Sequence, residues 1–382
     1  MTDKKKVSLC ACGTYDDDEV YNAVSSLFEN LGGIERFIKK GMVVALKPNL
    51  LLPLNPSGNA TTHPSVVGAV GRLVKEAGGF PVVVESPGGP YTKATLKTTY
   101  KVCGITEVCS KYGIELNYDT STEIVSMNAY GRTRSFNILK PIAEADFVIN
   151  IPKLKTHGMM AYTGAVKNMF GAIAGTEKAT YHMNVPDYDA FASNMIDICM
   201  ASDPDLTIMD AVEAMEGNGP SAGTTRKLGL LLASESPFSL DMAAHDVIGL
   251  DIEESYILSQ AAERGIPFEY EQAGDDISGF VVQDFKVPYK KGSGFRRKNL
   301  LNSRLLTSFK SKPVVDKGVC IGCAVCRNNC PAEVITMVKR KPEFAYKGCI
   351  RCFCCQELCP EHAISIKEPF IIKILKLGRN AR

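Results

Sequence analysis

The chain has 382 residues, of which 44 are basic and 42 acidic, so its formal net charge is +2. This balance gives no reason to expect nucleic acid as the main partner, and a hydrophobic content of 45% is ordinary for a globular protein. No run reaches the roughly 18 apolar residues of a transmembrane helix. No apolar signal-peptide core follows the basic first residues, so we expect a cytosolic protein.

Residues 1–285 are predicted to form one α/β domain. Short apolar runs predict strands at Val7–Leu9, Met42–Leu46, Pro81–Glu85, Phe147–Ile151, Leu206–Met209 and Leu228–Ala233. Helical patterns occur between them, at Glu19–Leu31, Pro64–Ala77, Ala190–Met200 and Asp241–Gly249. Continuous apolar strands are typical of a sheet buried on both faces. The order of elements predicts a doubly wound, largely parallel sheet with right-handed crossovers.

Polar segments directly follow several of these strands, where open parallel sheets bind ligands. We therefore expect a binding cleft at this edge of the sheet. The candidate cofactor-binding residues are Lys47, Asn49, Ser86, Gly88, Gly89, Lys153, Asn168 and Asp210. The glycines would allow close approach of a phosphate, although neither a GxGxxG nor a P-loop pattern is present.

The richest polar segment is predicted as a loop over residues 152–158, directly after a buried strand. The candidate catalytic residues in and after it are Lys155, His157, Lys167 and His182. Lysines at this position suit an anionic ligand such as a carboxylate or a phosphate, and the histidines suit proton transfer or metal binding. His63 is a further candidate for the cleft. The alternative is that these are ordinary surface lysines and structural histidines, and an additional organic cofactor such as a flavin stays open.

Residues 286–318 form a basic connector with ten Lys or Arg and one acid, Asp316. A solvated linker and a docking strip for an acidic redox partner protein are both compatible with this composition. The tail, residues 367–382, alternates apolar residues with lysines. Packing on its own protein is favoured over membrane-surface binding, because the segment is short.

Nine of the 14 cysteines lie between Cys320 and Cys359, which in a reducing cytosol indicates metal ligation. Two runs of C-x2-C-x2-C-x3-C-P match the bacterial ferredoxin pattern, in which the fourth cysteine ligates the other cluster. Residues 319–366 therefore resemble a small α+β ferredoxin domain with two [4Fe-4S] clusters. The predicted ligands are Cys320, Cys323, Cys326 and Cys359 for one cluster, and Cys349, Cys352, Cys355 and Cys330 for the other. A zinc site would more often pair two short C-x2-C knuckles.

Three further cysteines call for an interpretation. Cys354 is surplus to the two sets and is expected to be a buried thiol near the second cluster, with ligand exchange with Cys355 as the alternative. Cys10 and Cys12 follow a short strand. A buried structural pair is favoured over a redox or metal role.

The large domain resembles the uncharacterised DUF362 family in its form with a C-terminal ferredoxin module. The residues that carry the resemblance are Lys47–Leu50, Thr62–Pro64, Glu85–Gly89, Asn150–His157, Gly164–Asn168, Gly171 and Asp210. Members are described as iron–sulfur-centre proteins, so the resemblance implies redox chemistry without naming a substrate.

The order of His157, Lys167 and His182 is also similar to that in the nickel-pincer lactate racemase family. That resemblance implies that Lys167 holds a pyridinium cofactor, His182 binds the metal and His157 transfers protons. The turn before Lys167 has fewer glycines than the family's, and a racemase needs no external electrons.

Three functions follow as hypotheses. The first is an iron–sulfur oxidoreductase that exchanges electrons with an anionic small molecule or cofactor in the α/β domain. The second is a non-catalytic electron-transfer or assembly subunit that docks a redox partner. The third is metal-pincer chemistry at Lys167 and His182.

Overall fold

The computed structural model describes residues 4–185, 187–287, 291 and 311–367. Most of the predicted basic connector and nearly all of the predicted tail lie outside the described residues, so both predictions stay untested. The strands are β1 (Lys5–Ala11), β2 (Val43–Pro48), β3 (Phe80–Val83), β4 (Glu115–Leu116), β5 (Thr122–Ala129), β6 (Arg132–Leu139), β7 (Phe147–Ile151), β8 (Lys153–His157), β9 (Ala161–Thr163), β10 (Leu206–Glu216), β11 (Thr224–Ser234), β12 (Tyr270–Gly274), β13 (Lys312–Val315), β14 (Ile335–Val338), β15 (Lys341–Phe344) and β16 (Ile364–Lys367). The α-helices are α1 (Asp17–Asn30), α2 (Ile34–Phe37), α3 (Pro64–Glu76), α4 (Lys93–Val102), α5 (Ile105–Tyr112), α6 (Lys140–Ala143), α7 (Ala165–Asn168), α8 (Gly175–Met183), α9 (Tyr188–Ser202), α10 (Pro237–Ile248), α11 (Tyr256–Glu263), α12 (Val325–Asn328) and α13 (Cys354–Glu357).

The main sheet has the strand order β12-β1-β11-β10-β7-β2-β3-β4. Neighbouring strands from β10 to β4 are parallel, whereas β11 is antiparallel to both β10 and β1. A short connection joins β10 to β11, and two strands joined in this way run antiparallel. Consecutive strands of a parallel pair need a longer crossover connection. The predicted largely parallel α/β domain is confirmed, with antiparallel pairing at β11 and between β8 and β9.

Helices cover both faces of this sheet. Val44 and Leu46 of β2 belong to a core that α1 and α3 share, whereas Ala45 belongs to a second core built around α9. Successive strand residues point to opposite faces, so an apolar residue at every position buries both sides. The continuous apolar runs in the sequence follow from this double burial.

The polar segment predicted as a loop over residues 152–158 is instead mostly a strand. β8 pairs in parallel with the extension of β10 and antiparallel with β9. Because β10 continues to Glu216, the predicted loop at Asp210 is also strand. The extension of β10 supplies the backbone hydrogen-bonding partners that β8 needs, and this pairing is absent from the local pattern.

The C-terminal module contains two small antiparallel sheets, β13-β16 and β14-β15. Its short helices α12 and α13 each follow a residue in the left-handed region, Ala324 with φ 63° and Phe353 with φ 60°. These tight turns fold each cysteine run back on itself. In the part of the chain that the structure describes, no helix is both long and apolar enough to cross a membrane.

Candidate functional site

A cavity of about 350 Å³ lies between the ends of β2 and β3 and the C-terminal module. From the α/β domain it is lined by Lys47, Asn49, Leu51, Glu85, Ser86, Gly88, Gly89, Pro90, Lys155, Thr163, Lys167, Asn168, Phe170, Gly171, Gly175, Lys178, Ala179, His182 and Pro220. From the module it is lined by Asn328, Asn329, Cys330, Pro331, Cys354, Glu357 and Leu358. Most of the predicted cleft residues therefore do meet, and the cysteine-rich module closes the cavity over them.

Helix α13 and the residues around it hold the module against the α/β domain. Ser221 Oγ donates to the carbonyl oxygen of Glu357 at 3.0 Å, and Gln356 Nε2 donates to the Asn218 carbonyl oxygen at 3.3 Å. The backbone of Gly88 lies so close to Leu358 that a Cβ there would come within 2.5 Å of its side chain. The close approach predicted for this glycine thus serves the contact between the two domains.

Lys47 is buried and paired inside the protein. Its Nζ lies 2.9 Å from Glu85 Oε1, and Glu85 Oε2 also accepts a hydrogen bond from the Leu50 backbone N–H at 2.8 Å. Burial lowers the pKa of Lys47, and Glu85 opposes that change. The pair fixes the two polar loops relative to each other, so Lys47 is not a free cation for a ligand.

Lys153 and Asp210 form a second buried pair, with Nζ and Oδ2 3.0 Å apart. Asp210 also accepts from the Tyr15 hydroxyl at 2.8 Å and from the His63 backbone N–H at 2.9 Å. None of these four residues lines the cavity. His63 stacks on Tyr15 with ring centroids 3.7 Å apart, so its surroundings are those of a structural residue.

Hydrogen bonds join Asn49 to both Asn168 and Lys155. Asn49 Nδ2 donates to Asn168 Oδ1 at 2.8 Å, and Lys155 Nζ donates to Asn49 Oδ1 at 2.8 Å. Lys155 has no carboxylate within salt-bridge distance in the described residues, and burial lowers its pKa to about 7. Its ammonium group therefore titrates near neutral pH at the wall of the cavity.

Lys167 and His182 present unsatisfied polar groups to the cavity. Within the described ranges, Lys167 Nζ has no hydrogen-bond or ion-pair partner, and His182 Nδ1 is buried without one. Burial lowers the pKa of Lys167, and it lowers the pKa of His182 to about 4. Ser86 Oγ and Thr163 Oγ1 are also buried without partners beside the same cavity. Unpaired buried groups are costly, and a ligand with several acceptor oxygens would satisfy them.

His157 lies behind the cavity wall rather than on it. Its Nδ1 accepts from the backbone N–H groups of Met159 and Met160, so the neutral ring carries its proton on Nε2. This nitrogen lies 3.7 Å from Glu357 Oε2. Burial lowers the pKa of His157 to about 4. Burial alone would raise the pKa of Glu357, but His157 and Lys167 together hold it below its usual value.

Sequence reasoning missed Lys178 and Glu357 as parts of this site. Lys178 donates to the Ser86 carbonyl oxygen, and burial lowers its pKa to about 8. It lies on α8, one helical turn before His182, and this spacing was the available signal. Glu357 comes from the cysteine module, and nothing in the sequence indicated that this module closes the cavity.

The predicted cluster cysteines surround two small cavities. Cys320, Cys323, Cys326 and Cys359 line one, while Cys330, Cys349, Cys352 and Cys355 line the other. Each small cavity is thus lined by three cysteines of one run and the fourth cysteine of the other. Four thiols around each space suit the soft irons of a four-iron cluster. Among the residues that the structure describes, no three His, Cys, Asp or Glu side chains converge as ligands of a single metal ion.

The remaining cysteines show no such grouping. Cys12 is buried and Cys10 is half-buried, and burial raises the pKa of both thiols. Cys354 is buried and lines the interdomain cavity. A raised pKa disfavours the reactive thiolate at Cys10 and Cys12.

The fold and the cysteine pattern define an α/β protein that carries a ferredoxin-type module. Residues 44–246, more than half of the chain, match the family described as Domain of unknown function (DUF362), and residues 312–360 match a 4Fe-4S dicluster domain. The chain therefore belongs to the DUF362 family.

One curated relative is a thylakoid-associated protein of Synechocystis, 36% identical over 257 residues, covering 65% of this chain and 75% of the relative. Among solved structures, the lactate racemase apoprotein of Thermoanaerobacterium thermosaccharolyticum is 13% identical with a TM-score of 0.38, covering 64% of this chain and 56% of that one. A Thermotoga maritima protein is 14% identical with a TM-score of 0.36, covering 65% of this chain and 59% of that one. The chain thus spans under two thirds of both solved structures.

Proposed function

We propose that this protein exchanges electrons between two [4Fe-4S] clusters in its C-terminal module and an anionic small molecule bound in the interdomain cavity. The observation that carries the proposal is the shared wall of that cavity. Cys330 and Cys354 of the module line it together with Lys155 and Lys167 of the α/β domain. A ligand there would lie beside one of the two cysteine sets.

The proposed cluster ligands are the two sets of four cysteines described above, including Cys330 and Cys359 exchanged between the runs. When bound, such clusters supply one-electron transfer at potentials set by hydrogen bonding and solvent exposure. The protein's own contribution is to hold each set of thiols and to bring Cys330 to the cavity wall. Cys354 stays outside both sets of ligands.

The charge of the cavity indicates the ligand. Lys155, Lys167 and Lys178 line it, and among the described residues Glu357 is their only counter-charge apart from the internally paired Lys47 and Glu85. Carboxylates and phosphates accept charge-assisted hydrogen bonds from such ammonium groups. We propose Lys155, Lys167 and His182 as the groups that bind the ligand, and His182 as the one that can also take or give a proton through Nδ1.

Two measurements test the proposal. Protein purified anaerobically should contain about eight irons with matching sulfide, as two four-iron clusters require. One zinc per chain without sulfide would reject the clusters. Calorimetric titration with inorganic phosphate and with malonate should then show binding that Lys167→Met weakens at least tenfold, the scale of one charge-assisted hydrogen bond.

The matched control for Lys167→Met is Lys97→Met, which changes an exposed lysine of α4 that does not line the cavity. Unchanged anion binding in both variants, with full iron content, would favour a non-catalytic electron carrier instead. The cavity would then be a by-product of the contact between the domains.

A second candidate is the metal-pincer chemistry. The unpaired Lys167 and the unpaired Nδ1 of His182 line the same cavity, which is the observation that favours it. Nickel in the purified protein together with an added mass on Lys167 would support this candidate. Unmodified Lys167 and no third metal would remove it.

The proposed location is the cytosol. One relative is described as thylakoid-associated, so fractionation of cells into soluble and membrane parts is the direct test. Recovery in the membrane fraction after a high-salt wash would contradict the proposal.

A further inference from the structure

The two cysteine sets have different surroundings. Cys330 lines the interdomain cavity as well as the small cavity of its own set. No member of the other set lines the interdomain cavity, and one of them, Cys323, is exposed. One set therefore lies toward the bound ligand and the other toward solvent.

Large apolar side chains are exposed around the set that contains Cys323, which we call the outer set. Val319, Ile321 and Val338 are 49%, 54% and 44% exposed. The turn between β14 and β15 lies against the loop that carries Cys320, because Lys341 Nζ donates to the Cys320 carbonyl oxygen. Exposed apolar residues that cluster at one place on a surface mark interaction sites more often than scattered ones do.

The rim of this patch is basic. Lys317, Lys339 and Arg340 are exposed and take part in none of the ion pairs formed by the described residues. A Cβ at Gly322 would come within 2.5 Å of the Arg340 carbonyl oxygen, which places the β14–β15 turn directly beside the cysteine loop. We call Lys317, Val319, Ile321, Val338, Lys339 and Arg340 the outer face.

Acidic groups nearby are fewer. Asp316 uses its carboxylate to accept from the backbone N–H of Gly318, and Glu361 is exposed beside the same cysteine set. Cysteines aside, residues 312–367 contain nine Lys or Arg and five Asp or Glu. The exposed cations of the outer face attract acidic groups on a partner protein locally.

We propose that the outer face docks an acidic one-electron carrier protein, which exchanges electrons with the module at the set containing Cys323. The inference rests on the proposed electron transfer. In each encounter the reduced carrier loses one electron and the module gains it, with no bond made or broken. A few exposed apolar side chains rimmed by charge suit the small interfaces of transient redox complexes. A second copy that presented its own outer face would bring the same exposed cations and be repelled there.

The test uses the full-length protein with its iron and an acidic plant-type [2Fe-2S] ferredoxin as the probe. Binding is measured with the redox-inert gallium form of the probe, and electron transfer is followed by stopped-flow absorbance with the iron form. The variants are Lys339→Glu with Arg340→Glu, and Ile321→Ser. The control is Lys97→Glu with Lys101→Glu, an equal charge reversal on α4.

We expect the double reversal on the outer face to weaken binding and slow transfer at least tenfold at low ionic strength. Rising salt should slow the unmodified protein but hardly affect this variant, because its electrostatic attraction is already lost. Ile321→Ser should weaken binding without changing the salt dependence. The control on α4 should behave like the unmodified protein.

Equal effects of the control and the outer-face variants would overturn the proposal. So would tight binding of anionic phosphatidylserine vesicles or self-association at the outer face while ferredoxin binding stays unchanged. Reduction by dithionite separates this inference from the proposed function. If neither dithionite nor a stronger one-electron reductant bleaches the iron-loaded protein, electron transfer itself is refuted. If reduction bleaches every variant alike, only the docking site is at stake.

Discussion

Two lysines at the same sheet edge should respond in opposite ways to the same substitution. Lys153 is fully buried with Nζ 3.0 Å from Asp210 Oδ2, whereas Lys167 reaches the cavity with no partner among the described residues. The perturbation is Lys→Met at each position, which keeps an unbranched side chain and removes the charge. Both variants change the net charge equally, so each is the control for the other.

Lys153→Met should lower the free energy of unfolding by about 3–5 kcal/mol, because breaking a buried pair leaves an uncompensated charge. Asp210 keeps two neutral donors, Tyr15 and the His63 backbone N–H, so the loss should fall toward the lower end of that range. Lys167→Met removes a desolvated cation that stands near two other lysines, and it also removes part of the favourable charge interaction with Glu357. Because these effects oppose each other, the free energy of unfolding should change by no more than about 2 kcal/mol.

The assay is anaerobic urea unfolding of ligand-free protein, followed by circular dichroism, beside calorimetric binding of inorganic phosphate. We expect Lys153→Met to cause a large loss of stability and to leave the affinity of each folded molecule for phosphate unchanged. Lys167→Met should show retained stability with affinity at least tenfold weaker. Comparable destabilisation by both substitutions would refute the assignment of Lys167 as an unpaired ligand-binding group.

Three further predictions follow from the site. Because the folded-state pKa of Lys178 is about 8 and below its ordinary value of 10.5, the unfolded chain binds more protons between these values. The stability of ligand-free protein should therefore rise with pH over that range while phosphate affinity falls. Lys178→Met should make both profiles less steep in a pH titration, while Lys155, whose pKa is also lowered, keeps part of the slope. Cys354→Ser should keep about eight irons and Cys355→Ser should lose roughly half of them, by elemental analysis; equal iron loss would contradict the assigned ligands. Gly175→Ala would place a Cβ within 2.5 Å of the Gly89 carbonyl oxygen and should cost about 1–3 kcal/mol in urea unfolding, whereas Gly58→Ala, with nothing within 4 Å, should cost far less.

Local patterns predicted the central strands and four helices of the α/β domain, but not α4, α5, α11, β5, β6 or β12. The strands around Val44, Val148 and Leu231 were apparent as short apolar runs, and the helix at Pro64 from its proline start and glycine stop. The polar segment at Lys153 was predicted as a loop but is mostly a strand. Its strand character depends on pairing with a distant extension of β10, and pairing over more than fifty residues leaves no local signal.

The sequence by itself determined the chemistry of the C-terminal module and the polar residues that gather at the sheet edge. Cysteine spacing is local, so the two runs predict 4Fe-4S binding without a tertiary structure. Only the fold decided which lysines are paired. Lys47 and Lys153 meet carboxylates that approach from other strands or loops, whereas Lys167 pairs with no carboxylate in the part of the chain that the structure describes. The fold alone also placed Glu357 and Cys354 opposite those lysines, because the contact of one domain with another depends on surfaces assembled from distant parts of the chain.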